Sequence, residues 1–497
     1  MSVAPSSLVA LSALDRARRK AYWRLIPLLF VCYIIAYVDR SNVGIAKLTM
    51  TKDLVGFTDA VIGFGAGIFF IGYFLLEIPG TLIVERWSAR KWICRIMVTW
   101  GVVAAFTAFV QFRVPGLVQI NEVLLAGFVW LAKLVALWGV PWISDFARGM
   151  AAQFEGPNGL AVFQFYAVRF TLGLAEAGFF PGVIVYLTHW FPTRDRSRTL
   201  AYFFVATPLA MMISPKISNL MLKIGTTEVV NGVTVNHPVV LGLSGWQWVY
   251  IFWGIPAVIL GVLVYYLLPD KPRDAQWLTT EERTALETEL AAEKEKASRG
   301  KRMSVLEALR HPKVILLSTA YFFTVTANYG VEFFLPSILQ DWYKLKMNDL
   351  TWLVILPPAL SLVAQLAVGW SSDRMKERRL HAVFPIVTGA VALACASFSS
   401  GNLAVTIICF MIATAGLKAY LPAFWSMPSL FLTSAAAAGS IGLINSVGNL
   451  GGFLGPALLG WLKTTTGSYQ VGVLCLSGSM LVTATMLFYL GIGRKTE

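Results

Sequence analysis

Histidine and charge are both scarce in this chain of 497 residues. It has four histidines, and 14% of its residues are charged, against about a quarter in soluble domains. His189, His237, His311 and His381 all lie off the middle of any apolar run. That excludes a histidine proton relay or a histidine-held metal inside the apolar body. The five cysteines, Cys32, Cys94, Cys395, Cys409 and Cys475, fall within apolar runs. They read as packing residues, not as a disulfide frame. No Gly-x4-Gly-Lys-Ser/Thr phosphate cradle occurs, so the chain holds no ATP site of that type. No HExxH, CxxC or serine-elbow pattern supports an enzyme, and no Asn-x-Ser/Thr acceptor is found. The run Asp15-Arg16-Ala17-Arg18-Arg19-Lys20 leads straight into a full-length apolar segment, which reads as an uncleaved start.

What the chain has is hydrophobic length: 57% of its residues are hydrophobic. Apolar runs long enough to cross a bilayer recur at 24–46, 60–80, 92–112, 160–188, 199–222, 248–268, 313–338, 350–370, 381–399, 402–425, 437–461 and 469–492. The expected fold is therefore an all-α integral membrane protein of twelve transmembrane helices. The net charge of +14 follows the loops. With the N-terminus inside, most Lys and Arg fall on cytoplasmic segments, as the positive-inside bias requires. Lipid is the expected partner, and the basic excess needs no nucleic acid.

One stretch, 269–312, breaks the hydrophobic rhythm with Lys, Arg and Glu. Within it, 279–297 reads as a cytoplasmic helix, opened by a Thr279/Glu282 capping box with Leu286 and Leu290 on one face. It divides the chain into a tail (1–23), a six-helix bundle (24–268), this linker (269–312), a second six-helix bundle (313–492) and a short tail (493–497), with both termini cytoplasmic. The halves echo each other. Gly80 to Lys91, with Glu85, Arg86 and Arg90, follows span 2. Gly369 to Arg374, with Asp373, followed by Glu377-Arg378-Arg379, comes after span 8. Such an echo marks two pseudo-symmetric bundles. The segment 113–158 is an extracytoplasmic insertion. Its apolar stretch Val123–Val140, with Trp130, Trp138 and Trp142, reads as a helix on or dipping into the outer face. The loop 226–245 also reads as extended.

Asp39 and Arg40 lie deep in span 1, and Arg169 and Glu176 in span 4. A charge at mid-bilayer costs at least a few kcal/mol, and such residues face cavities, ion paths or partner charges. Arg40 shares a helical face with Tyr37, offering a cation and a phenol suited to a carboxylate. Asp39 lies about level with Arg169, so the two are expected to pair, with Glu176 about 10 Å deeper. Lys216, Glu332 and Lys418 are further charges in or near spans, and Glu332 and Lys418 could pair. Gly63-x-x-x-Gly67 and Gly451-x-x-x-Gly455 suit close helix approach.

Five stretches resemble the major facilitator superfamily, and within it the anion:cation symporters, bacterial organic-acid permeases of the tartrate, galactonate and phthalate type. They are Tyr37–Gly44 (YVDRSNVG), Glu85–Ile93 (ERWSARKWI), Arg169–Pro181 (RFTLGLAEAGFFP) with Trp190-Phe191-Pro192, Ala423–Pro428 (AFWSMP) and Asn445–Gly452 (NSVGNLGG). The resemblance covers nearly the whole chain. It implies alternating access and proton-driven uptake of a small organic carboxylate across an inner membrane by a monomer, with no cofactor beyond the proton gradient. It implies that Arg40 and Tyr37 contact the anion and that Asp39 and Glu176, with Arg169, handle protons. Asn328, Tyr329, Trp425 and Asn445 complete the expected substrate set. Glu85, Arg86, Arg90, Asp373 and Arg374 form the gating loops. The chain departs from the pattern at Ser88, where a glycine is usual, in the 113–158 insertion, and at Lys216, Glu332 and Lys418. Extra cations would suit a dianion such as a dicarboxylate. Sodium coupling, uncoupled diffusion and a non-transporting anion sensor signalling through 269–312 are the alternative readings.

Overall fold

A computed structural model describes residues 12–137, 141–156, 158–230, 233–298, 311–430 and 434–491. The first bundle is built from α1 (Ala13–Ser41) and α2 (Val43–Asp53), which together make span 1, then α3 (Asp59–Arg86) and α4 (Ala89–Phe106). Next come α5 (Pro115–Leu137) and α6 (Pro141–Glu155), which make the insertion. Span 4 is α7 (Gly159–Glu176) with α8 (Phe179–Thr188), followed by α9 (Thr193–Leu222) and α10 (Gly245–Leu267). Helix α11 (Thr280–Ser298) lies in the linker. The second bundle runs α12 (Pro312–Tyr343), α13 (Met347–Leu353) with α14 (Leu356–Met375), α15 (Arg379–Ser397), α16 (Leu403–Ala419) with α17 (Leu421–Ser426), α18 (Ser434–Asn449) with α19 (Gly451–Thr466), and α20 (Gln470–Tyr489).

Among the described residues, eleven helices are long and apolar enough to cross a membrane. Ten belong to the twelve expected spans, and the eleventh is α5. Span 4 is split at Gly178, and span 5 is the continuous helix α9. Span 1 starts earlier than its apolar run. Ser12 caps α1 by accepting from the Asp15 amide, 3.1 Å away. Arg16 and Lys20 then reach Glu281 and Glu282 of α11 at 3.0 and 2.8 Å. The linker helix opens with the expected box. The Thr279 amide donates to Glu282 at 3.1 Å, and the Glu282 amide to the Thr279 hydroxyl at 3.3 Å.

The insertion is two helices where one was expected. The second, α6, mixes charge with apolar residues, so hydropathy alone passes over it. It packs on α5 through Ser144, which donates to the Ala132 carbonyl at 3.0 Å, and on span 4 through Tyr166, which donates to Gln153 at 2.6 Å. Trp138 lies outside the described residues. The extended loop closes as a hairpin, β1 (Thr227–Val230) antiparallel to β2 (Val233–Asn236).

The bundles meet along two equivalent seams, α3 against α19 and α9 against α13 and α14, with α2 against α12 between them. Small residues set the first seam. A Cβ on Gly63 would stand 2.3 Å from the Pro456 carbonyl, and one on Gly460 2.2 Å from that of Asp59. Gly451 and Gly455 face α12 just as closely, at Phe322 and Thr326. The expected small-residue faces are therefore used, and one of them joins the two halves.

Candidate functional site

Three interruptions in helices put charged side chains at the centre. In span 1 the Ser41 hydroxyl donates back to the Tyr37 and Val38 carbonyls, at 2.9 and 3.1 Å, and the helix is interrupted at Asn42, two residues after Arg40. In span 4, Gly178 takes φ 84°, a left-handed conformation that favours glycine, just after Glu176. Pro181 lies three residues further on and has no N–H to continue the ladder. In span 10, Pro422 leaves the Lys418 carbonyl without its usual helical donor, and the helix is interrupted at Tyr420. Discontinuous helices at mid-depth are where carriers of this architecture gather polar groups.

Two cradles result. In the first, Arg40 forms an ion pair with Glu176 and donates to the Tyr329 hydroxyl at 3.1 Å. In the second, Lys418 pairs with Glu332 at 2.7 Å. Tyr37 donates to both Glu332 oxygens, at 2.9 and 2.7 Å, and accepts from Lys418 at 3.2 Å. Each ion pair lies within one bundle, and each phenol comes from the other. All six groups are buried except Arg40, whose side chain is 14% exposed.

The pairing differs from the depth argument. Asp39 and Arg169 are both buried, yet they form no ion pair. Glu176 is taken by Arg40, whose long side chain reaches it from the same turn. Both Asp39 oxygens and both terminal nitrogens of Arg169 are buried without a close hydrogen-bond partner among the described residues. Arg169 is held by a long contact from Nε to the Gly65 carbonyl, 3.4 Å, and by the Phe69 ring, 5.3 Å away. Tyr37 serves Glu332 rather than Arg40. Glu332 and Lys418 do pair. Asn328 is buried with its side-chain oxygen unpartnered. Trp425 stacks edge-on to Tyr321 at 5.1 Å, apart from the charged cluster.

Asn445 donates to Glu77 at 2.6 Å. Glu77 is a buried carboxylate in span 2 that sequence reasoning missed, although it too is an ionisable residue in an apolar run. Lys47 was missed in the same way. It reaches Asp59 at 3.3 Å and lies 3.4 Å from the centre of the Phe334 ring. Lys216 contacts Asn348 at 3.3 Å and Trp352 at 3.7 Å. Ala60 donates to Thr464 at 3.1 Å. These groups join the halves at the end away from the linker. Between described residues, the hydrogen bonds crossing the halves run from there to Glu77–Asn445, and none lies nearer the linker end.

At the linker end, Ser88 donates to both Asp270 oxygens, at 2.9 and 2.7 Å, and caps α4 by accepting from the Lys91 amide at 3.1 Å. The Arg90 backbone amide donates a hydrogen bond to Asp270 at 3.0 Å. Asp373 pairs with Arg378 at 2.6 Å, and Arg374 lies over Trp370 at 5.2 Å. The side chains of Glu85 and Arg86 lie outside the described residues.

Two helical bundles closed around ionisable side chains define a multi-pass membrane transporter. The chain belongs to the Major Facilitator Superfamily, whose model matches residues 29–456. It is 37% identical over 478 residues to a protein of Agrobacterium vitis named for tartrate transport, covering 96% of this chain and 91% of that one. It is 34% identical over 473 residues to a quinolone resistance transporter of Acinetobacter baumannii, covering 93% and 92%. The fold matches the xylose transporter XylE of E. coli in an inward-open conformation, with a TM-score of 0.64, 13% identity, and 96% and 97% of the two chains covered. The function is transport, not catalysis.

Proposed function

We propose that this chain is a proton-coupled symporter that takes up an organic carboxylate across a bacterial inner membrane by alternating access, as a monomer with both termini cytoplasmic. One observation carries the reading. The buried centre gathers three cations, Arg40, Arg169 and Lys418, against four carboxylates, Asp39, Glu77, Glu176 and Glu332. With every group ionised the centre is already negative, and adding an anion in a low-dielectric site is costly. A proton on one of the carboxylates removes that cost, so anion and proton favour each other's binding. The tartrate-transporter name of one relative supports a carboxylate substrate.

Arg40 is the anion anchor. Its guanidinium is held by Glu176, so protonating Glu176 frees it for the substrate. The Tyr329 hydroxyl accepts from Arg40 and keeps its own proton to donate. Asp39 and Glu176 carry protons, Arg169 keeps a fixed positive charge beside them, and Tyr37, Asn328, Trp425 and Asn445 complete the substrate walls. Loops 85–90 and 373–374 gate the cytoplasmic end, and the Lys47, Lys216 and Gly63 contacts close the other.

The test is uptake into proteoliposomes with an imposed pH gradient. Proton-driven accumulation is expected in the parent protein. Glu176→Gln should lose accumulation while keeping counterflow exchange. Accumulation driven by sodium alone, or equal loss of both activities in the variant, would overturn the coupling.

A further inference from the structure

The tyrosine in each cradle lies one helical turn before a charge on the same span. Tyr37 precedes Arg40 in span 1, and Tyr329 precedes Glu332 in span 7. Spans 1 and 7, and spans 4 and 10, hold equivalent places in the two bundles. The first cradle therefore has its cation on span 1 and its acid on span 4. The second has its acid on span 7 and its cation on span 10. The positions correspond and the signs are exchanged.

We infer that Lys418 and Tyr37 form a second carboxylate subsite, so that the substrate is a dicarboxylate bridging Arg40 and Lys418. The inference rests on the carboxylate-symporter reading above and names its substrate class. Glu332 already shows what the subsite accepts, because its carboxylate takes three close contacts from only two groups. The Lys418 ammonium carries three donors and directs two of them here to Glu332 and Tyr37. Lys418 and Glu332 also line one cavity, together with Ser41, Ser214 and Thr414. The cradles adjoin, because Tyr37 of one and Arg40 of the other lie three residues apart on span 1, and Glu332 and Tyr329 likewise on span 7. A carrier of monoanions would need only Arg40. Holding a lysine deep in span 10 has a cost, and apolar residues often replace a purely structural buried pair without loss.

The roles follow. Arg40 with Tyr329 takes one substrate carboxylate. Lys418 with Tyr37 takes the other in place of Glu332, which acts as an internal competitor. The test measures ligand-induced thermal stabilisation of the purified protein by matched acids: tartrate against threonate, succinate against butyrate, and phthalate against benzoate. The parent protein should bind at least one diacid about tenfold or more tighter than its monoacid partner. Lys418→Gln should erase most of that preference while costing the monoacid far less. Glu332→Gln should tighten diacid binding severalfold, because the competitor has gone. A structural ion pair predicts the opposite sign, since breaking either partner would weaken binding. Equal affinity for the members of each pair in the parent protein, equal losses for both in Lys418→Gln, or weaker diacid binding in Glu332→Gln would overturn the subsite and leave the symporter reading standing. Binding of none of the six acids would count against both. Size-exclusion profiles report folding, and if Lys418→Gln fails to fold, the sign of the Glu332→Gln effect decides.

Discussion

Spans 1 and 7 occupy equivalent places in the two bundles, and they treat charge differently. Around span 7 the account is closed: Glu332 meets Lys418, and Tyr37 ties them. Around span 1 it is open. Arg40 meets Glu176, but Asp39 and Arg169 remain buried with polar atoms unpartnered. A buried group without a hydrogen-bond partner is expensive as an ion and cheap to neutralise. Under the proposed coupling, the first half is the one that changes its charge, and the second holds a fixed pattern against it. Because each phenol reaches across, a change in one half is felt by the other.

The sharpest way to break this comparison is Arg40→Lys. A lysine keeps the charge and loses the planar fork. Substrate affinity should fall about ten- to a hundredfold, with the folded protein recovered in normal yield. Binding assays that find no change would make Arg40 merely the partner of Glu176 and would leave span 1 without an anion anchor.

Gly63→Val probes the two ends of the molecule. The added side chain would meet the Pro456 backbone at the seam that closes the end away from the linker. Overpacking of this kind costs about 1–3 kcal/mol, and it falls only on conformations in which that end is shut. Transport should slow sharply while binding persists. A cysteine placed at Thr464 should become more reactive to a polar maleimide. Unchanged labelling would mean that the seam does not open during the cycle.

The crossing phenols allow a finer comparison. Tyr37→Phe removes contacts to both Glu332 oxygens and to Lys418, whereas Tyr329→Phe removes a single bond to Arg40. Hydrogen bonds to charged groups contribute about 1.5–3 kcal/mol each at most. Both variants should unfold at lower temperature, Tyr37→Phe by more. Equal losses would mean that the two cradles are equally closed.

Much of this was legible in the residues, but unevenly. Apolar run length gave the spans, and charge inside apolar runs pointed to Asp39, Arg40, Arg169 and Glu176. Glu77 and Lys47 obey the same rule, but each lies at the end of its run, where charge looks ordinary. The partners were not legible. Depth along a helix placed Asp39 beside Arg169, yet whether a side chain pairs depends on its length and on the helix rotation about its axis. Arg40 reaches farther than its neighbour and so claims Glu176. The repeat of tyrosine and charge at a three-residue spacing in spans 1 and 7 was visible in the sequence. Its meaning was not, because each tyrosine serves the opposite bundle. The insertion's second helix was hidden by its mixed composition.

The smallest expected effect compares the two loops at the linker end. The loop after span 2 is fastened from outside, by Asp270 on Ser88 and Arg90. The loop after span 8 fastens itself. Glu377 accepts from the Leu380 and His381 amides at 2.8 and 3.2 Å and contacts the His381 ring at 2.9 Å. Burial pushes the Glu377 carboxyl upward, but these amides and the imidazole outweigh it and hold the carboxyl below its ordinary value of 4.5. A carboxyl depressed in the folded state stabilises fully above its unfolded value, and that stabilisation is lost as pH falls through the folded one. Glu377→Gln should therefore lower stability by about 0.5–2 kcal/mol near neutral pH, the usual worth of such a cap. The gap between parent and variant should close below about pH 4.5 as the parent's own carboxyl takes up its proton. Melting temperatures of both proteins across pH 3.5 to 7 measure the gap. A gap that stayed constant would mean that Glu377 holds the turn by shape alone, and the loop would then depend on the Asp373–Arg378 ion pair.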